Sequence, residues 1–161
     1  MKHQPICVRS STRAVLACGL ALASPLAGAT LGEPAWSIET DRARVQGERR
    51  VVQAATTRVQ VHVITQADGS TIKEFVTPGG IVFAVAWSTR LKPRLDTLLG
   101  AQAPRYAAAA SAAMATPGVR HGVTLASDDL VVQASAHLNA HAGLAYLRSL
   151  VPEGVHIDDL R

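Results

Sequence analysis

Histidines are the first residues of this sequence that could carry chemistry. His137 and His141 are four positions apart, a spacing that places two imidazoles on one face of a helix, and His121 lies upstream of them. Imidazole nitrogens are common zinc ligands, so these three residues are weak candidates for a metal site. The sequence has no His-Glu-x-x-His motif, and Gly143 and a strand-like pattern argue against a helix here. A solvated or hydrogen-bonded imidazole is therefore expected, and no cofactor is predicted.

Other catalytic groups lack the sequence context that their chemistry needs. Asp128-Asp129 fits a turn, and Asp158-Asp159 fits a terminal helical turn. No serine lies in a Gly-x-Ser-x-Gly motif. Gly79-Gly80 lies between two predicted strands, where a hairpin turn is expected rather than a phosphate-binding loop. The catalytic residues are therefore unknown, and an acid–base or metal site made of histidines and aspartates would have to be assembled by the fold.

Basic residues surround the connection between a predicted strand and a predicted helix. Arg90, Lys92 and Arg94 follow a strand that ends near Trp87, and Arg105 begins the next helical segment. Surface cations are most simply solvated, and a tryptophan in an apolar strand most simply packs in the core. The alternative is a surface that recognises an anionic component of the cell envelope. These five residues are therefore the candidate binding residues.

The elements that must position these groups are predicted to form an antiparallel sheet with helices. Alternating apolar positions predict strands over 57–66 and 71–76. Residues 81–87 are continuously apolar, as in a strand buried on both faces, and Phe83 and Trp87 are expected to share one of those faces. Helices are predicted over 37–44, 93–99 and 105–115, strands over 121–126 and 130–137, a turn at 139–143, and a strand or helix over 144–150.

These elements predict the fold class. We expect an α+β fold, with an antiparallel β-meander sheet of five to six strands and one or two helices packed on one face. Residues 30–161 are expected to form a single domain, in which residues 30–56 are a polar segment with a short helix. No apolar run in this part is long enough to predict an integral membrane span.

The first 29 residues have the organisation of a secretory signal peptide. Lys2, Arg9 and Arg13 precede a short apolar run over 14–22, and Ala27-Gly28-Ala29 has the small-x-small pattern of a cleavage site. The alternative is a lipoprotein anchored through Cys18, although apolar sequence continues beyond that cysteine. The pattern predicts export to the periplasm, with secretion as the alternative.

Removal of residues 1–29 changes the charge and the cysteine content. Three of the 16 basic residues and none of the 12 acidic residues leave, so 13 basic and 12 acidic residues remain. This near-neutral balance disfavours nucleic acid as a partner, because nucleic-acid binding needs a dense basic surface. Both cysteines leave as well, so the exported domain is predicted to be free of disulfides.

Several blocks of the sequence occur together in a recognisable order. They are the Asp41-Arg42 neighbourhood, IKEFVTPGGIVFAVAW over 72–87, the helix over 93–100, Pro104-Arg105-Tyr106, and the segment over 129–161. With the signal peptide, this order resembles the family of small exported bacterial proteins known as domain of unknown function 2844. The resemblance implies export and a compact domain, and it implies no reaction and no catalytic residues.

The sequence therefore predicts an exported protein, most simply a non-catalytic binding or accessory protein of the cell envelope. Its partner would be an envelope or secreted protein or a surface component, and self-association is a further alternative. The competing hypothesis is a hydrolase or metal-dependent enzyme that uses histidines and aspartates brought together by the fold.

Overall fold

The computed structural model of the chain describes residues 31–53, 58–114 and 123–161. The seven strands of this part are β1 (Glu48–Gln53), β2 (Gln60–Thr65), β3 (Thr71–Val76), β4 (Val82–Thr89), β5 (Val123–Ser127), β6 (Leu130–His137) and β7 (Ala140–Leu147). The α-helices are α1 (Ser37–Val45), α2 (Leu95–Leu99) and α3 (Ala103–Met114), with short 3-10 turns at Gly100–Gln102, Arg148–Leu150 and Ile157–Leu160. None of the helices in these residues has the length and apolar character that a bilayer crossing requires. The predicted signal peptide lies outside the described residues.

All strand pairs in the sheet are antiparallel, and the spatial order is β1-β2-β3-β4-β7-β6-β5. The α+β class is confirmed, with seven strands where five to six were expected. Strands β2, β3 and β4 form the expected meander, and β1 extends it at the edge. After β4 the chain passes through α2 and α3 to the far edge of the sheet and returns inward, so β7 rather than β5 pairs with β4.

The extra strand lies in the segment that was expected to be polar with a short helix. That segment contains both α1 and β1. Every residue of β1 is exposed, and its sequence ERRVVQ shows no apolar–polar alternation. The period-two signal that predicts a strand was therefore missing, and pairing with β2 alone defines β1. At the other end, β7 begins at Ala140, so the turn predicted over 139–143 is shorter than expected.

The central strand β4 is buried on both faces, as its apolar run predicts. Residues 82–87 are all buried. On one face of the sheet, here called the first face, helices α1 and α2 cover the strands with Ile38, Leu98 and Leu99. On the opposite, second face, the segment over 148–161 covers the sheet, and Leu160 packs in a cluster with Phe83. The core therefore has two layers, one on each side of the sheet.

A β-bulge in β4 separates two aromatic residues that were expected to share a face. Phe75 is opposite Ala84, and Val76 is opposite Val82, so Phe83 is an extra residue in the strand. Phe83 consequently packs on the second face, at 6.2 Å between ring centroids from Phe75. Trp87 packs on the first face. The expectation was wrong because strict alternation holds only in a strand without a bulge.

The indole of Trp87 lies on the bare backbone of a glycine in the next strand. Trp87 and Gly143 are directly opposite each other in the β4–β7 register. A Cβ atom at position 143 would lie 2.6 Å from Cε2 of Trp87 and 2.5 Å from the carbonyl oxygen of Gln133. Neither the ring nor the backbone carbonyl can move away independently in a packed core. Gly143 is therefore required for the close approach of the tryptophan.

We predict that Gly143→Ala lowers the free energy of unfolding by about 1–3 kcal/mol, the usual cost of overpacking a core. The measurement is urea unfolding followed by circular dichroism. Gly79→Ala is the matched control, because a Cβ atom there would meet only the Thr77 hydroxyl, at 3.7 Å. The control is expected to change the free energy of unfolding by no more than about 0.5 kcal/mol. Equal effects of the two substitutions would contradict this account of Gly143.

Candidate functional site

Three basic side chains line a cleft on the first face of the sheet. Arg44 comes from the end of α1, and Lys92 and Arg94 come from the connection between β4 and α2. The third wall is the turn between β2 and β3, and the cavity volume is about 420 Å³. This cavity is called the cationic cleft below. It brings together two of the basic residues singled out in the sequence with one from a distant helix.

A buried serine holds the turn and the connection in place around the cleft. Ser70 is 2% exposed. Its hydroxyl donates to Oδ2 of Asp68 at 2.9 Å and accepts a hydrogen bond from the backbone N–H of Arg90 at 3.1 Å. The backbone N–H of Ser70 donates to Oδ1 of Asp68 at 2.9 Å. Ser70 thus ties the β2–β3 turn to the first residue after β4, and this tie positions the basic residues that follow.

The same hydrogen bonds favour the ionised form of the Asp68 carboxylate and hold this side chain within the β2–β3 turn. The backbone N–H of Ser70, followed by its hydroxyl, lowers the pKa of Asp68, and the charge of Arg90 lowers it further. Asp68 lines the cleft but is held by Ser70. Its negative charge lowers the positive potential of the cleft, as do the carboxylates of Asp41, 3.6 Å from Nη1 of Arg44, and of Asp96 beside Arg94.

The basic side chains of the cleft differ in whether a carboxylate of the same chain already pairs with them. Nη2 of Arg94 lies 2.9 Å from Oδ2 of Asp96, and the side chain of Arg94 is 80% exposed. Lys92 is exposed and makes no hydrogen bond or ion pair within the described part of the chain. Between the cations, Val45, Ile72 and Leu98 supply apolar surface. The cleft can therefore offer an incoming group one uncommitted ammonium beside an apolar floor.

Two of the sequence-predicted binding residues lie away from the cleft. Arg105 is on α3, where its guanidinium donates to Oε1 of Gln102 at 3.4 Å. Its charge acts on Asp129 in the β5–β6 turn, whose pKa is lowered chiefly by a hydrogen bond from the hydroxyl of Ser149. Trp87 is 4% exposed and belongs to the core of the first face. The structure thus groups Arg90, Lys92 and Arg94 at one end of the sheet and separates Arg105 and Trp87 from them.

Arg44 was not among the candidates because the sequence shows only its charge. It belongs to a basic run of four arginines over 42–50 that is most simply a solvated face. Its position beside Lys92 follows from the packing of α1 against the sheet, which no local pattern indicates.

The histidine candidates are not brought together on one face. His137 pairs with Ala140, and His141 pairs with Ala136, across the hairpin between β6 and β7. Neighbouring residues of a strand point to opposite faces, so His141 lies on the first face and His137 on the second. His121 lies outside the described residues. Residues 31–53, 58–114 and 123–161 contain no group of three His, Cys, Asp or Glu side chains that could hold a metal ion.

A Ser-x-x-Lys spacing at Ser70 and Lys73 is a motif of some serine acyl-transfer enzymes. In this chain Ser70 immediately precedes β3 and lines the cationic cleft on the first face, whereas Lys73 within β3 lines a cavity on the second face. The Ser70 hydroxyl is bonded to Asp68, and Nζ of Lys73 donates to the carbonyl oxygen of Arg161 at 3.0 Å. The spacing therefore does not form a nucleophile with its base.

Buried titratable side chains lie on the first face, close to β1 and α1. His62 is 6% exposed, and Glu74, directly opposite it in β3, is fully buried. Burial lowers the pKa of His62 below its ordinary value, and the charge of Arg49 lowers it further. A side chain this inaccessible cannot exchange a proton with a substrate in solution without local opening. His62 therefore affects the stability of the fold and is not part of an open binding or catalytic site.

We predict that His62 makes stability depend on pH. The folded protein binds a proton at His62 less readily than the unfolded chain, in which a histidine titrates near pH 6.5. The free energy of unfolding should therefore fall as the pH drops below about 6.5 towards the lower folded-state pKa, and His62 should contribute no slope above that range. Urea unfolding between pH 5 and 8 is expected to show a smaller slope for His62→Gln than for the wild type. His156→Gln, at an exposed histidine, is the control, and an unchanged slope in the His62 variant would contradict the prediction.

Comparison with known proteins identifies the family. The model of the family described as Protein of unknown function (DUF2844) matches residues 27–160. No curated protein and no solved structure is similar enough to this chain to count as a match. The match covers α1, all seven strands and the segment that closes the second face. The chain therefore belongs to the family of domain of unknown function 2844.

Proposed function

We propose that this chain is an exported, non-catalytic binding protein of the bacterial cell envelope, which docks an acidic segment of a partner protein in the cationic cleft. The observation that carries the proposal is the convergence of Arg44, Lys92 and Arg94 from two separate elements around an apolar floor. Isolated surface cations are ordinary, whereas three that converge on one concavity select for negative charge.

The chemistry of the cleft favours a short acidic peptide segment over a simple ion. A carboxylate of the partner would meet the ammonium of Lys92, and a neighbouring apolar side chain would cover Val45, Ile72 and Leu98. Apolar contact at the centre with charges at the rim is the usual arrangement of a protein–protein contact. Leu91, which is 77% exposed beside the cleft, would extend the apolar contact.

The assignment to the envelope rests on the N-terminal sequence. The basic start, the short apolar run and the Ala27-Gly28-Ala29 pattern are typical of a cleaved signal peptide. After cleavage the domain carries no thiol that an oxidising compartment could modify. Both features support a periplasmic protein, with secretion as the alternative destination.

We predict that charge reversal in the cleft weakens binding of an acidic probe. The probe is a fluorescein-labelled hexaglutamate peptide, and the measurement is fluorescence anisotropy at low and at physiological salt. Lys92→Glu and Arg94→Glu are each expected to raise Kd by roughly three- to tenfold, which corresponds to about 0.7–1.4 kcal/mol. Arg105→Glu is the matched control, because it makes the same change in net charge outside the cleft. Equal weakening by all three variants would show that net charge, and not the cleft, binds the probe.

We further predict that the full chain is processed, exported and bound to a partner through the cleft. The protein carries a photocrosslinking amino acid in place of Leu91, an uncharged residue that lines the cleft, or of Arg105 as control, and is expressed in bacteria. The expected result is a periplasmic protein shortened by about the first 29 residues, with one crosslinked partner from position 91 that is lost in the Arg94→Glu background. A full-length cytoplasmic protein would contradict export. The same crosslinks from both positions would contradict docking in the cleft.

A further inference from the structure

A second cavity lies on the second face of the sheet, at the same end as the cationic cleft. The segment over 148–161 covers this face as far as Arg161, and the sheet beyond it is open. The cavity has a volume of about 450 Å³, within the range of small-molecule sites. We call it the hydroxyl groove. It shares no lining residue with the cationic cleft, so the two sites can be tested separately.

The strand register places the residues of the groove in two rows that run across the sheet. The first row is Lys73, Ala86, Leu144 and Gln133, from β3, β4, β7 and β6. The second row, one step nearer the open end, is Thr71, Ser88, Ala142 and Ser135. Side chains two residues apart in a strand share a face, so both rows face the same side of the sheet.

Arg161 lies across the first row and forms one wall of the groove. Nζ of Lys73 donates to the carbonyl oxygen of Arg161 at 3.0 Å, and Nη2 of Arg161 donates to Oε1 of Gln133 at 2.7 Å. These two bonds connect β3 to β6 over the strands between them. The wall therefore places the ammonium of Lys73 and the guanidinium of Arg161, each holding one hydrogen bond, beside the second row.

The second row supplies a line of hydroxyl groups. Thr71 and Ser88 are directly opposite each other on neighbouring strands, and neighbouring strands lie about 4.8 Å apart. Ser135 is two strands further on. The hydroxyl of Ser135 donates to the carbonyl oxygen of Ala142 at 3.4 Å, a long hydrogen bond. Ala142 lies between Ser88 and Ser135 in this row, and its small side chain leaves space above the sheet at that point. A flat ligand with several polar groups can reach these hydroxyls in succession.

The charge of the lining decides the kind of ligand. The residues that line the groove include Lys73 and Arg161 and no aspartate or glutamate. We infer that the hydroxyl groove binds a short acidic saccharide, with its carboxylate towards Lys73 and Arg161 and its hydroxyl groups along Thr71, Ser88 and Ser135. A purely apolar ligand would leave these hydroxyls without hydrogen bonds, at a cost in free energy. A neutral sugar would form no ion pair with Lys73 or Arg161.

Amide chemical shifts measured by NMR on the purified protein test this inference. The probe is D-glucuronate, D-glucose lacks its carboxylate, and hexanoate lacks its hydroxyl groups. We expect glucuronate to give saturable shifts centred on the amides of Thr71, Ser88 and Ser135. Glucose and hexanoate are each expected to bind at least about fivefold more weakly, because each satisfies only one of the two chemistries. Absence of saturable shifts with glucuronate, or equal binding of hexanoate, would overturn the inference.

Two matched variants locate the binding in the groove. Lys73→Gln removes the charge and keeps an N–H group that can donate to the carbonyl oxygen of Arg161, and we expect it to raise Kd for glucuronate by about three- to tenfold. Arg105→Gln removes the same charge outside both cavities and is expected to leave Kd unchanged. Ser88→Ala should weaken binding independently of charge. Unfolding midpoints are compared to show that each variant is folded. Equal effects of Lys73→Gln and Arg105→Gln would overturn the inference, while the proposed function would stand or fall on the peptide experiment.

Discussion

Burial of β4 on both faces is the constraint on which the rest of the structure depends. A strand with no polar side chain between Val82 and Trp87 must be covered on both sides and paired along both edges. The pairing comes from β3 and β7, and the cover comes from the helices on the first face and from the segment over 148–161 on the second. The two layers of this domain are thus the consequence of one apolar run.

Incomplete cover over one end of the same sheet creates both cavities. The helices leave space between α1 and the β4–α2 connection, and the segment over 148–161 stops at Arg161. Two small residues shape the sheet at this end, for different reasons. Ser70 ties a turn to the residue that follows β4, and Gly143 admits the ring of Trp87. The strands supply rigid rows of side chains, and the connections supply the charges around them.

The corner formed by α1 and β1 combines polar contacts at the surface with an apolar contact to the core. Glu39 of α1 lies 3.9 Å from Nη1 of Arg49 in β1, and Asp41, 2% exposed, lies 3.6 Å from Nη1 of Arg44. Exposed ion pairs stabilise a fold by about 1 kcal/mol or less, so Ile38 and the neighbouring core must supply most of the free energy that docks α1. This mixture explains why the segment reads as polar in the sequence and yet forms part of the sheet.

The sequence by itself determined the elements with strong periodic or apolar patterns. It predicted α1, the strands β2, β3, β4 and β6, the Ala-rich helix and the α+β class, because hydrophobic period and turn residues are local properties. Tertiary structure decided what depends on pairing and packing. β1 exists through its partner, the bulge at Phe83 reverses a face, and β7 enters beside β4. Lys92 and Arg94 were named as candidate binding residues from their charges. The place of Arg44 in the cleft follows from the packing of α1, and the rows around Lys73 follow from the strand register. Contacts between residues far apart in the chain leave no local pattern, which is why only the folded structure could bring them together.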